Sequence, residues 1–469
     1  MASSININNQ SEENNELSFV LSGVDVSIAN AIRRTILSDI PIVVFRAFGG
    51  ESSDAIFTTN TGRLNNEILS QRLSCIPIYI QPNDEEYNIA DLLLELDEEN
   101  TTDVLRILTT DNFKVRVIST GEHLSKQKCT DIFRPFQSMT GESYPIQFAR
   151  LRQRISDEIP GEKISMTCKF SIASASDNSM FNAVGTCAYG MTVDEATATD
   201  ALNVKQQKWR ADGMTEPLIE SESLNWGFLD KKRITIPNSF DFVVGTVGPI
   251  LNTNIVATSC QILVNRCRRI IETISNGLMV ATNETEHSIE YTLENEDYTI
   301  GCVLSHMLFK NYFENNQTIT FCGFKKLHPH DTDGIIRIMF KSNDSDESSS
   351  SSTSPPPLDT PPQSTVQKVP RAVAFDVSPP FSTTQPAGDS PPFSTTQGAF
   401  DDSPPYSTTQ GAFDVSNEDK SQASPQAKKI IGGSRGGANF KVIGFDYIKK
   451  CCNDAIEIFE TIGQIINKK

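Results

Sequence analysis

The sequence predicts an α+β fold made of two halves with one outline: strand, short helix, strands and a long closing helix. Three observations predict it. Near both ends of the chain an alternating apolar run is followed by apolar residues at helical spacing. A succession of strand-like runs with few helical ones lies between Gln81 and Pro237, which predicts a mostly β insertion within the first half. From Ser342 to Ala438 the chain is rich in Ser, Pro, Thr and Gln and nearly empty of Leu and Ile. Such a segment cannot bury enough apolar surface to offset its ordering entropy, so 342–438 is expected to be a disordered insert in the second half.

The first half is assigned to residues 16–80 and 238–276, after a flexible polar N-terminus at 1–15. "NELSFVLSG" alternates Leu17, Phe19 and Leu21 as a half-buried strand does. Ser27 is the expected N-cap of a helix whose Ile28, Ile32 and Ile36 share one face until Pro41 stops it. "PIVVFRAF" reads as a strand and "NNEILSQRLSCIPIYI" as a helix running into Pro77. Within the inserted block, 81–237, "DNFKVRVIS", "EKISMTCKFSIASA" and "AVGTCAYGMTV" read as strands. "FDFVVGTVGP" then supplies a strand, and the following long helix turns Ile255, Leu263, Cys267, Ile270 and Ile274 one way.

A connector at 277–286 leads to the second half, 287–341 and 439–469. "HSIEYTLENED" alternates Ile289, Tyr291 and Leu293, and "DYTIGCVLSHML" is a helix with Ile300, Val303, Leu304, Met307 and Leu308 on one face. Two strands follow, "QTITFCGFKKL" and "GIIRIMF". Beyond the insert, Phe445, Ile448, Cys452, Ile456, Phe459, Ile462 and Ile466 recur at three- and four-residue steps, one apolar stripe along a closing helix.

Composition narrows the function. The 469 residues carry a formal net charge of −18. By count the Ser/Pro-rich segment holds eleven acidic and six basic residues, so the rest is acidic in its own right. That argues against sequence-independent grip on nucleic acid, which needs clustered Lys and Arg. The ten cysteines include no CxxC spacing and sit mostly in apolar runs, as buried thiols of an intracellular protein do. The first residues show no signal-peptide pattern, and no apolar run is long enough to span a membrane. No P-loop, GxSxG or paired-carboxylate motif is present, and five histidines leave little for acid–base work. His328, His330, Asp331 and Asp333 in "HPHDTD" have metal-like composition, but Pro329 and the aspartates suit a turn, so no metal and no cofactor are assigned.

"VDVSIANAIRRTILSDIP" resembles the dimerisation motif of the α-like subunits of RNA polymerase, namely bacterial α, archaeal D and the third-largest subunit of eukaryotic polymerase II. "NEILSQRLSCIPI" is similar to the motif that follows it in that family. "EDYTIGCVLSHML", "CGFKKLHPH" and "GIIRIMF" resemble the small partner, archaeal L or the eleventh polymerase II subunit. The family's two partners thus stand in one chain, a fusion similar to that of nucleocytoplasmic large DNA viruses. The likeness is loose over 81–237, where only Cys129, Cys168 and Cys187 occur, so the family's metal-binding cysteine loop is not expected.

The resemblance implies a non-catalytic assembly platform of a DNA-directed RNA polymerase, with both halves paired as a pseudo-dimer. Its seam would comprise Ile28, Ile32, Ile36, Ile300, Val303, Leu304, Leu308, Phe445, Ile448, Ile456 and Phe459. Arg33, Arg34 and Arg72 would face a large subunit. Implied partners are the two largest polymerase subunits and a small tenth- or twelfth-like subunit, with DNA reached only through the complex and no membrane. The implied place is a cytoplasmic viral factory or virion for a viral chain, and otherwise the nucleus. A competing reading makes the chain an adaptor acting through its repeats "SPPFSTTQ" and "SPPYSTTQ", which begin at Ser378, Ser390 and Ser403.

Overall fold

The computed structural model describes residues 5–48, 53–138, 140–156, 158–285, 287–341 and 437–468. The insert expected at 342–438 falls outside them apart from Gly437 and Ala438, which open the last helix. Helices and strands mix throughout, as an α+β fold requires.

The chain begins in a hairpin. Asn6–Glu13 pairs antiparallel with Glu16–Ser22, and Ile7 sits opposite Leu21. Asn14 and Asn15 take φ of 52° and 65°, the doubly left-handed two-residue turn that matches strand twist and that asparagine tolerates. The expected flexible N-terminus is therefore largely a strand, held because Ile5 and Ile7 are buried.

Helix α1 spans Val26–Ser38 and buries Ile28, Ile32 and Ile36. Its cap is Asp25 rather than the expected Ser27: Asp25 Oδ1 accepts from Ser27 N at 2.8 Å. A carboxylate there also meets the positive end of the helix dipole. Past the short strand Ile42–Val44, the chain enters a separate unit with its own core. Its four-stranded sheet runs, in order, Ala55–Asn60, Lys163–Lys169, Leu92–Glu99 and Lys114–Val117, with helices α2 (Asn66–Ser74) and α3 (Lys126–Ile132). Phe45 and Ala47 belong to this core, as do Leu69 and Leu73 of α2, so it draws on residues well before 81.

Val184–Val193, expected in the inserted block, lies instead in the first sheet, whose order is 6–13, 16–22, 235–246, 184–193. Its Tyr189 packs on Phe240 and Phe242 of Thr235–Thr246, and Phe242 stacks on Phe19 at 5.1 Å. Between these strands stand α4 (Glu195–Ala211) and α5 (Glu216–Phe228), which the β-rich expectation omitted. They bury only Ala198, Ile219 and Trp226, too few to mark a helical period in the sequence.

Helix α6 spans Asn252–Ser275. A second sheet follows, ordered 281–282, 288–293, 334–340, 319–325, with α7 (Tyr298–Leu308) continuing into a π-helical turn, Phe309–Asn315. Helix α8 spans Gly437–Asn467. Tyr291 is fully buried beneath it, and its hydroxyl lies 3.3 Å from the carbonyls of both Phe440 and Lys441. α1 packs on α7 and α6, and both of those pack on α8, so that a single apolar core runs from Ile7 to Ile466 through both sheets.

Candidate functional site

Where α1, α6 and the turn before α7 meet, three arginines face three carboxylates. Arg34 of α1 donates from Nη2 to Asp297 Oδ2 at 2.7 Å and from Nε to Thr299 Oγ1 at 2.9 Å. Asp297 is itself the N-cap of α7, accepting from Thr299 N at 3.0 Å. Arg266 of α6 reaches Glu296 at 2.7 Å, Asp297 at 2.9 Å and Asp39, the C-cap of α1, at 3.2 Å. Arg269 takes the other oxygen of Glu296, whose side chain is wholly buried.

This arrangement solves two local problems. An acid at the C-terminus of α1 opposes the helix dipole, and Arg266 neutralises it. A buried glutamate is costly unless paired, and two guanidinium groups pair it, Arg266 on Oε2 and Arg269 on Oε1. Burial pushes the Asp297 carboxyl up, but the hydrogen bonds from Arg34 and Thr299 and the charge of Arg266 outweigh it, holding it at about 2. Burial likewise pulls the Arg266 guanidinium down, yet Glu296 and Asp297 keep it above its ordinary value. The cluster clasps α1 and α6 to the turn that opens α7.

Among the residues expected at a large-subunit face, Arg34 thus turns inward to this clasp, because Asp297 caps a helix directly opposite it. Arg33 lies half-buried beside it, and among the described residues its hydrogen-bond partner is Asn30 of the same helix, at 2.9 and 3.1 Å. Arg72 is elsewhere, donating to the carbonyls of Phe148 and Gln147 at 2.7 and 2.8 Å and tying α2 to the strand Gln147–Leu151, which pairs with Arg106–Thr109. Of the residues expected at the seam, Ile28, Ile32, Ile36, Ile300, Val303, Leu304, Leu308, Ile448 and Phe459 are buried in the shared core, and Phe445 and Ile456 pack against it half-buried.

At the opposite ends of α1 and α7 a cavity of about 190 Å³ opens between α1, α7 and α8. His306 Nδ1 lies 3.6 Å from Asp25 there, and Asn311 donates to Asp454 of α8 at 3.1 Å. "HPHDTD" forms a tight turn: Asp331 accepts from His328 N, His328 Nδ1 from His330 N, and Asp333 from Asn295 N. Among the described residues no group of three His, Cys, Asp or Glu is placed to hold a metal, and no helix is long and apolar enough to cross a membrane.

Arg266, Arg269, Asp39, Glu296 and Asp297 were not singled out by sequence reasoning. One available signal was "ENED" immediately before an apolar helix, where acids favour the N-terminus; the other was "NRCRR" interrupting an apolar stripe.

The family model of the RNA polymerase Rpb3/Rpb11 dimerisation domain matches residues 18–267. The chain is similar to the DNA-directed RNA polymerases I and III subunit RPAC1 of Saccharomyces cerevisiae, 24% identical over 301 residues, which is 55% of this chain and 84% of the relative. The corresponding Dictyostelium discoideum subunit is 36% identical over 95 residues, 19% of this chain and 26% of the relative. DNA-directed RNA polymerase subunit Rpo3 of Thermococcus kodakarensis is 40% identical over 62 residues, 13% of this chain and 21% of its own. The chain therefore spans about a quarter of the Dictyostelium relative and a fifth of the Thermococcus one.

Proposed function

Because the chain belongs to the RNA polymerase Rpb3/Rpb11 dimerisation-domain family, we propose that it is a non-catalytic assembly subunit of a multisubunit DNA-directed RNA polymerase. One observation carries the reading: the core that joins α1 and α6 to α7 and α8, with the clasp at its edge. It supports an intramolecular pseudo-dimer, first half 16–80 with 238–276 and second half 287–341 with 439–469, two partners fused in one polypeptide. Linking them gives each an effective concentration in about the millimolar range, so pairing needs no bimolecular encounter.

In this reading the outer surface of the pseudo-dimer receives the two largest subunits, and a small tenth- or twelfth-like subunit joins them. Arg33 is the proposed large-subunit contact on α1, since its fork is engaged by one side-chain amide and no carboxylate among the described residues. A planar guanidinium fixes the orientation of such a contact. The likeness of the fusion to polymerases of large DNA viruses favours a viral source.

The test is to purify the tagged full chain from its source and identify what accompanies it. The two large subunits are expected in stoichiometric amount. A chain recovered alone, or with proteins unrelated to transcription, would refute the proposal.

A further inference from the structure

The clasp and the cavity are equivalent places in the two halves. Asp25, Ser27, Ile28 and Ala29 open α1 as Asp297, Thr299, Ile300 and Gly301 open α7. Continued along the helices, that match sets Arg34 against His306 and Asp39 against Asn311. The closing helices match through Glu272-Thr273-Ile274 and Glu460-Thr461-Ile462, which sets Arg266 against Asp454. Contacts agree with the alignment. Arg266 meets Asp39 in the clasp, and Asp454 meets Asn311 in the cavity. Arg34 meets Asp297 in the one, and His306 faces Asp25 in the other.

The exchanges strip one place of its guanidinium groups, leaving His306 and the exposed Lys310 as basic side chains on its lining. Arg34 becomes an imidazole, Arg266 and Arg269 become the carboxylates Asp454 and Glu457, and Glu296 becomes Val24, while the capping aspartate stays. At about 190 Å³ the cavity is far larger than the roughly 10–15 Å³ that one water requires. Asp25 and Asp454 line it, with Val24, Ile28 and Ile458 as apolar wall for an aliphatic stem.

We infer that this cavity receives an arginine side chain presented by a protein partner, its guanidinium taking, beside Asp25 and Asp454, the place that the molecule's own arginines fill in the clasp. An acidic pair alone would not name a ligand; the equivalent place, filled by guanidinium, does. Arginine suits it better than lysine because a planar fork serves two carboxylates at once. That the partner is another polymerase subunit rests on the proposed function; the chemistry of the cavity does not.

The experiment titrates N-acetyl-arginine amide into the full chain, followed by ligand-observed NMR, with the citrulline analogue as neutral isostere. Saturable binding of the arginine compound is expected, with the citrulline one at least about tenfold weaker, the usual weight of a charge-assisted hydrogen bond. Asp454→Asn should weaken it by a similar factor. His306→Arg should abolish it, by supplying the guanidinium from within, and should raise the melting temperature. Asp25→Asn keeps the helix cap and should weaken binding without unfolding the chain. No saturable binding, equal binding of citrulline, or unchanged binding in Asp454→Asn overturns the inference. Binding that appears only in Lys310→Ala would make exposed Lys310, on the cavity rim, its own cation and overturns it too. Co-purification with large subunits is a separate readout: its loss in Asp454→Asn, with probe binding also lost, joins cavity to assembly. Probe binding with no polymerase recovered refutes the assembly role and the partner assigned through it, leaving only the cavity's taste for guanidinium.

Discussion

Arg34 lies 2.7 Å from Asp297, which caps the very helix against which Arg34's own helix packs. At the far end His306 of that second helix lies 3.6 Å from Asp25, the cap of the first. Each helix therefore starts where its partner ends, and each N-terminus is watched by a basic side chain from across the seam. Cap geometry, helix dipole and helix-to-helix pairing are served by the same side chains, which links the start of each short helix to the packing of the core.

Removing members of the clasp separates buried from exposed contributions. Arg266→Leu should cost about 3–5 kcal/mol in urea unfolding, because it strips a fully buried Glu296 of its main partner. Arg34→Leu should cost about 1 kcal/mol or less, since both Arg34 and Asp297 keep over a third of their side chains in water. Equal losses would mean that Glu296 is served by Arg269 alone.

Acid should open the clasp in a defined window. Asp297 is held at about 2 against an ordinary 3.8, a folded-state depression, so its contribution is present above pH 4 and is lost as pH falls toward 2. Discounted for solvent screening, that contribution is on the order of 1 kcal/mol. Asp297→Asn preserves the cap and removes the charge. The stability difference between wild type and variant should be constant from pH 7 to 5 and shrink steadily from pH 4 to 2. A difference independent of pH would show that the amide loses geometry rather than charge.

How far these features were legible depends on how local their causes are. Ile28, Ile32 and Ile36, or Ile300, Leu304 and Leu308, announce a buried stripe by spacing alone, and the core uses them all. Strand 184–193 was read as a strand but assigned to the wrong sheet, because which edge it joins is decided by Tyr189 meeting Phe240 and Phe242, a long-range match. The clasp was hidden for the same reason: Asp39, Arg266 and Glu296 come from three distant segments, and nothing in any one of them says which charge it will meet. The Asn14–Asn15 turn was legible and was overlooked, since two asparagines before an alternating run are a hairpin signal.

The two adjacent arginines should fail differently when reversed in charge. Arg33→Glu should leave the unfolding midpoint within experimental error and abolish recovery of a large subunit, because Arg33 is bound only to Asn30 among the described residues. Arg34→Glu should lower stability by placing like charge beside Asp297, with any loss of partners following from that. Paired measurements of unfolding and co-purification decide it. Should Arg33→Glu retain the large subunit, the contact lies on another face.

The seat of α8 can be tested without touching a charge. Gly444 sits mid-helix, where glycine costs roughly 1 kcal/mol relative to alanine. It is tolerated because a Cβ there would stand 1.9 Å from the hydroxyl of Tyr291 and 2.4 Å from its ring carbon Cζ. Tyr291 cannot yield, being fully buried, with its ring packed on Phe445 at 5.1 Å and its hydroxyl held at the carbonyls of Phe440 and Lys441. Gly444→Ala should therefore destabilise by about 1–3 kcal/mol, the usual cost of overpacking, against the gain that helix propensity alone would give. Tyr291→Phe in the same background should restore only part of the loss, because the ring carbon still clashes once the hydroxyl is gone. Thermal unfolding of the two single variants and the double variant measures both steps. A more stable Gly444→Ala chain would place α8 away from the second sheet, and the common core would then not extend to Ile466.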